Sequence, residues 1–195
     1  MSSLILASAS PRRRELLEQI GVAFTSVPVD IDETPAPNEP AAEYVARLAL
    51  EKARACQQLR GEGPVYLGSD TTVTLDGHIL GKPADEEGAV SMLMHLSGRQ
   101  HQVMTSVALV QGAHEAVETV VTDVSFRALD EAICRRYWHT GEPQDKAGAY
   151  GIQGMGAVFV SRMEGSYSAV VGLPLMETAQ LLESFGVPVW HAPAT

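Results

Sequence analysis

Residues 4–21, LILASASPRRRELLEQIG, read as a strand, a tight turn and a helix in immediate succession. Leu4 to Ala7 is a short apolar run suited to a buried strand. Ser10 then Pro11 form a helix start, Ser as N-cap and Pro at the first helical position. Leu16, Leu17 and Ile20 give the helix an apolar face, and Gly21 closes it. A buried strand feeding a helix through so short a turn is the building unit of an α/β fold.

The rest of the chain continues the alternation. Val22 to Val29 reads as a second strand, and residues 30–40, rich in Asp, Glu and Pro, as a loop. Tyr44, Val45, Leu48, Leu50 and Ala53 predict an amphipathic helix from Pro40 to about Leu59. Val65 to Gly68 is a strand that runs into Ser69-Asp70-Thr71-Thr72, and Asp76-Gly77 marks a hairpin within Val73 to Leu80. A helix over 84–96, strands over His101–Val110 and Ala116–Phe126, and a helix over Leu129–His139 follow. Glu142 to Gly156 is a glycine-rich loop, Met155 to Arg162 a strand, and Val171 to Phe185 a final helix. The sum is an α/β class with a mixed sheet flanked by helices. At 195 residues the chain suits one domain, 1–195, with room for two lobes around a cleft.

Charge and composition narrow the function. A net charge of −10 with only 14 Lys and Arg argues against a nucleic-acid polymer as partner. It leaves room for a small polyanion, if a few cations converge and a divalent metal assists. No apolar run is long enough for a membrane helix. The N-terminal basic cluster follows the apolar run, the reverse of a secretory signal. Cys56 and Cys134 stand apart, outside any CxxC spacing, and read as small buried apolar residues. These features lead us to expect a soluble, cytoplasmic protein.

The candidate chemistry lies where polar groups meet element ends. Ser8, Ser10, Arg12, Arg13 and Arg14 gather at the start of the first helix, where free N–H groups and the helix dipole suit a phosphate. Basic residues there oppose the dipole, so either an anion offsets them or the turn is simply solvated. Asp70 follows an apolar strand, at the position expected for the rim of a sheet, and can hold a hard cation or accept a proton from water. The alternative is a turn-forming Asp. Asp30, Asp32 and Glu33 form an acidic knot that can supply a second oxygen ligand for magnesium, or remain a solvated loop. Lys52, Lys82 in Gly81-Lys82-Pro83 and Lys146 in the glycine-rich loop are further cations. The six histidines, His191 among them, lack zinc-ligand spacing. GxSxG, GxxxxGK[ST] and GxGxxG are all absent, which disfavours serine hydrolase, P-loop and dinucleotide-binding readings.

Taken in order, LASASPRRRELL (6–17), DETP (32–35), LALEKA (48–53), LGSDTTV (67–73), GKP (81–83), LSGRQHQVMT (96–105), DKAGAYGIQG (145–154) and GSYSAVVGLPL (165–175) resemble the Maf family of nucleotide pyrophosphatases. The segments cover almost the whole chain; only a short C-terminal tail lacks an evident role. The resemblance implies an elongated sheet split by a deep cleft, similar to inosine triphosphate pyrophosphatases. It implies cleavage between the α- and β-phosphates of a nucleoside triphosphate with Mg²⁺ or Mn²⁺. It makes Asp70 the general base, Glu33 and Asp70 the metal-side carboxylates, and Ser8, Arg12, Arg13, Lys52, Lys82 and Lys146 substrate-binding groups. Arg12, Thr71 and Gln153 match the branch acting on dTTP and UTP, and an amide such as Gln153 offers donor and acceptor to the edge of uracil or thymine. The family resemblance also leaves open a homodimer, and a role in septum formation through a protein partner.

Overall fold

In the computed structural model, which describes residues 3–190, the quoted stretch folds as strand, turn and helix. His191 and the C-terminal tail lie outside the described residues. Strand β1 (Leu4–Leu6) is buried along its length and lies between β2 (Phe24–Ser26) and β3 (Val65–Leu75), parallel to both. Helix α1 (Pro11–Gln19) begins as the sequence predicts: the Ser10 side chain accepts from the Arg13 N–H and Pro11 opens the helix. The remaining elements are α2 (Ala41–Arg60), β4 (His78–Leu80), α3 (Glu86–Leu96), β5 (Gln100–Gln111), β6 (His114–Phe126), α4 (Glu131–Trp138), β7 (Val160–Glu164), α5 (Tyr167–Val171) and α6 (Leu175–Ser184). The sheet is mixed and seven-stranded, in the order β2-β1-β3-β5-β6-β7 with β4 on β3.

Four expectations change. Asp70 is not at a strand end: β3 runs unbroken from Val65 to Leu75 through it. Thr71 and Thr72 favour extended backbone, and the buried polar groups before them find partners, so nothing ends the strand. The expected strand over Met155–Arg162 is shorter and shifted, because Met155–Phe159 winds as 3₁₀ turns before β7. The expected final helix, Val171–Phe185, starts only at Leu175 as α6, and an unexpected short helix, α5, ends at Val171, the two parted at Gly172-Leu173-Pro174. Gly172 takes a φ of 136°, open to glycine and strained for other residues, and Pro174 cannot continue the preceding helix. Strand β2 keeps only three of the eight residues expected of it.

The chain forms two compact units. The first comprises Met1–Asp70, Thr105–Val120 and Gly172–Thr195, over the described residues. The second comprises Thr71–Met104 and Val121–Val171. In the first unit Ile5, Ala7, Ala53, Cys56, Tyr66 and Val110 form a buried cluster under α2. In the second, residues such as Val73, Leu93, Phe126, Cys134, Tyr150 and Phe159 pack together. The Asp76-Gly77 turn has positive φ at both residues, as a two-residue hairpin requires. Both cysteines are free and buried. No helix among the described residues is long and apolar enough to cross a membrane.

Candidate active site

The first unit carries a charged group on the buried face of β3. Asp70 and Lys52 are both about nine-tenths buried. The Lys52 ammonium donates to Asp70 Oδ1 at 2.7 Å and pairs with Glu33 Oε1, also at 2.7 Å. One cation thus gathers two carboxylates, one from mid-strand and one from the 30–40 loop. Burying such charges is tolerable only because they are paired.

A glycine makes this pairing reachable. A Cβ on Gly68 would sit 2.0 Å from the Ala49 carbonyl oxygen and 2.8 Å from the Ala53 nitrogen, both backbone atoms of α2. Only glycine allows α2 to lie so close to β3. Lys52 stands on that same turn of α2, so the contact carries its ammonium to Asp70 two residues further along the strand.

The turn after β1 brings its own polar set. Ser8 is buried, and its hydroxyl accepts from the Ser10 N–H at 3.1 Å and from Arg13 Nη1 at 3.5 Å. The Ser26 hydroxyl donates to the Ser8 carbonyl at 2.8 Å, fixing the turn to β2. Arg13 Nε donates to the Gly172 carbonyl at 2.9 Å, and the buried Ser69 hydroxyl donates to the same oxygen at 3.0 Å. The break between α5 and α6 therefore supplies an acceptor that an unbroken helix would withhold. Arg13 keeps some surface exposure, yet desolvation pulls its guanidinium below the usual arginine range. Asp70 and Glu33 oppose that shift, while Arg12 adds to it. Arg12 is half-buried and Arg14 exposed; neither side chain makes a hydrogen bond or ion pair among the described residues.

Of the acidic knot, only Glu33 reaches the cationic centre. Asp32 caps its own loop, accepting from the Thr34 N–H at 2.9 Å, and Asp30 points to solvent. The loop is held by Arg47, which bonds both Glu39 oxygens at 2.6 and 2.8 Å and the Thr34 carbonyl at 3.2 Å. The Tyr44 hydroxyl donates to the Glu33 carbonyl at 2.8 Å. Burial, with Asp70 and Glu33 nearby, raises the Tyr44 hydroxyl above its ordinary pKa.

The second unit carries the remaining predicted residues: Thr71, Lys82, Lys146 and Gln153. The unit boundary on β3 falls between Asp70 and Thr71. Lys82 is exposed on the segment after β4, which the Gly148 N–H tethers by donating to the Gly81 carbonyl at 3.1 Å. The Lys146 ammonium donates to the Glu142 carbonyl at 2.7 Å and to Asp145 Oδ1 at 2.8 Å. Gln153 is exposed at the tip of the loop and makes no hydrogen bond among the described residues.

Sequence reasoning missed the supporting groups. Ser69 lay inside a quoted motif without a role, and Gly172 inside an expected helix. Glu142 and Tyr137 were given no role; the signal for Glu142 was its place as the acid that opens a glycine-rich loop. Among the described residues no three His, Cys, Asp or Glu side chains cluster as a metal site. The oxygen donors that do converge are Glu33 and Asp70, the kind of set to which Mg²⁺ adds water and phosphate oxygens. Chemically, the first unit offers a carboxylate that can accept a proton, set among cations that can meet a polyphosphate.

Residues 3–185 match the model of the Maf-like protein family. A dTTP/UTP pyrophosphatase of Hahella chejuensis is 54% identical over 189 residues, covering 96% of this chain and 94% of its own. One of Saccharophagus degradans is 54% identical over 193 residues, covering 97% and 92%. One of Aromatoleum aromaticum is 51% identical, covering 95% and 97%. Among solved structures, a HAM1 protein of Coxiella burnetii aligns over 65% of this chain and 73% of its own, at 21% identity and a TM-score of 0.47.

Proposed function

The chain belongs to the Maf family, and from that premise we propose that it hydrolyses dTTP and UTP to the nucleoside monophosphate and pyrophosphate. Supporting this are relatives of that name, matched over more than nine-tenths of their length. The observation that carries the chemistry is the buried Asp70 carboxylate held by Lys52 at 2.7 Å.

In this reading Asp70 takes a proton from a water that attacks the α-phosphorus. The bond from the α-phosphorus to the bridging oxygen breaks, and pyrophosphate leaves with the electron pair. Lys52 orients Asp70, while Arg13, fixed by Ser8 and Gly172, and the N-terminus of α1 meet phosphate charge. Lys82 and Lys146 serve as further phosphate-suited cations. Arg12, Thr71 and Gln153 set the preference for uracil and thymine, Gln153 through its amide. Glu33 and Asp70 would hold Mg²⁺ or Mn²⁺ together with substrate oxygens. The ion supplies neutralisation of the charge that develops on phosphate. We place the enzyme in the cytoplasm, as a homodimer, with no nucleic-acid polymer as partner. No observation favours the alternative, a regulator of septum formation.

The test is hydrolysis of a nucleoside triphosphate panel with Mg²⁺ or Mn²⁺, resolving pyrophosphate from orthophosphate, in the wild type and Asp70→Asn. Pyrophosphate chiefly from dTTP and UTP, lost on the order of 10²–10⁴-fold in the variant, is expected. Orthophosphate as product, or near-normal turnover by Asp70→Asn, overturns the assignment.

A further inference from the structure

One carboxylate outside the charged centre organises most of the loop that carries Gln153. Glu142 Oε1 accepts from the Tyr137 hydroxyl at 2.6 Å and from the Gly156 N–H at 3.0 Å; Oε2 accepts from the Met155 N–H at 2.8 Å. The Tyr137 oxygen in turn accepts from the Gly151 N–H at 3.1 Å. Backbone on both sides of Gln153, at 151 and at 155–156, is therefore fastened to a single pair of side chains. Burial and the Glu142 carboxylate push the Tyr137 hydroxyl well above its ordinary pKa, so it remains a donor.

The glycines of this loop have a matching explanation. A Cβ on Gly154 would fall 2.2 Å from Glu142 Oε2, and one on Gly156 would fall 2.6 Å from the Tyr137 oxygen. A Cβ on Gly151 would meet the Lys146 stem at 2.8 Å. The loop is thus wrapped closely around Glu142, Tyr137 and Lys146, and the glycines are the positions where backbone touches them. Gln153 is the one side chain of this wrapped segment that is both exposed and able to donate and accept. A carboxylate taken partly out of water and fully spent on holding a loop does no other visible work in the second unit.

We propose that Glu142 is a positioning residue for pyrimidine recognition, acting through the 151–156 backbone to hold the Gln153 amide at the base edge. The proposal rests on the reading that Gln153 meets the base. An amide tells uracil from cytosine only if it is held in place, because the two rings have the same shape and differ in the donors and acceptors they present. Loss of the hold lets Gln153 drift, and a displacement of about 1 Å can cost on the order of 10²-fold in a positioned contact.

The experiment is steady-state hydrolysis of UTP and CTP by the full-length wild type, Gln153→Ala, Glu142→Ala, the double variant, Glu142→Gln and Tyr137→Phe. Gln153→Ala should lower the UTP-over-CTP ratio of kcat/KM by about 10-fold or more. Glu142→Ala should lower it by a similar factor, mainly through KM for UTP, and the double variant should be no worse than either single one. Glu142→Gln keeps an acceptor oxygen and should restore part of the ratio. Tyr137→Phe removes one hydroxyl and should give an intermediate loss even where Glu142→Ala does not fold. If Gln153→Ala loses the preference while Glu142→Ala and Tyr137→Phe keep it, Glu142 has no positioning role and the Gln153 reading stands. Additive losses in the double variant overturn the proposal in the same way. If Gln153→Ala keeps the wild-type ratio, the Gln153 reading fails and takes this proposal with it.

Discussion

Replacing Gly68 with alanine adds one methyl group, yet the geometry makes it a test of how the catalytic group is assembled. The new carbon would lie 2.0 Å from the Ala49 oxygen and 2.8 Å from the Ala53 nitrogen, the two ends of one helical hydrogen bond. Neither atom can rotate aside, so α2 must retreat from β3 by about 1 Å to reach a tolerable contact. Elsewhere in a strand, glycine to alanine gains roughly 0.5–1 kcal/mol by restricting the unfolded chain. Here overpacking against backbone should reverse the sign, for a net loss of about 1–3 kcal/mol. Lys52 moves with α2, away from Asp70, and a misplacement of about 1 Å should cost on the order of 10²-fold in kcat/KM. Denaturant unfolding and pyrophosphate release from dTTP measure the two effects on the same sample. Gly81→Ala serves as the stability control, since nothing lies within 4 Å of its Cβ. A Gly68→Ala protein with wild-type stability and turnover would refute the close approach of α2 to β3 as the means of placing Lys52.

Lys52→Met should destabilise the chain by about 3 kcal/mol, because it leaves the buried Asp70 carboxylate without its cation; an unchanged midpoint in urea would remove that pairing from the stability account. Arg47 hydrogen bonds hold the Glu39 carboxyl down from an ordinary 4.5 to about 2. Its contribution is therefore complete above pH 4.5 and fades as pH falls towards 2. Glu39→Gln should accordingly flatten the acid limb of the stability curve between those values, and parallel curves for variant and wild type would contradict this. Burial pushes the Cys56 and Cys134 thiols up, so maleimide at pH 7 should label neither in the folded protein and both in urea; rapid labelling without denaturant would show that the cysteines are not enclosed.

The sequence alone determined the elements whose signals are local. Ser10 and Pro11 start α1, Asp76-Gly77 closes the β3–β4 hairpin, and the apolar spacing of Val45, Leu48 and Ala53 makes α2 amphipathic. Each depends on a neighbour within a few residues, and that information travels with the chain. The residue types suited to phosphate and proton transfer were legible for the same reason, since Asp70, Lys52 and Arg13 carry their chemistry with them. What they touch was not legible. Lys52 meets Asp70 only because Gly68 lets a helix sit against a strand; Arg13 is fixed only because Gly172 breaks a helix and frees its carbonyl. Glu142 holds the Gln153 loop through atoms up to fourteen residues away. Such contacts join segments whose separation the local pattern does not encode. They exist only once burial makes each polar group find a partner, so tertiary packing alone decided which carboxylates are paired and which loop they hold.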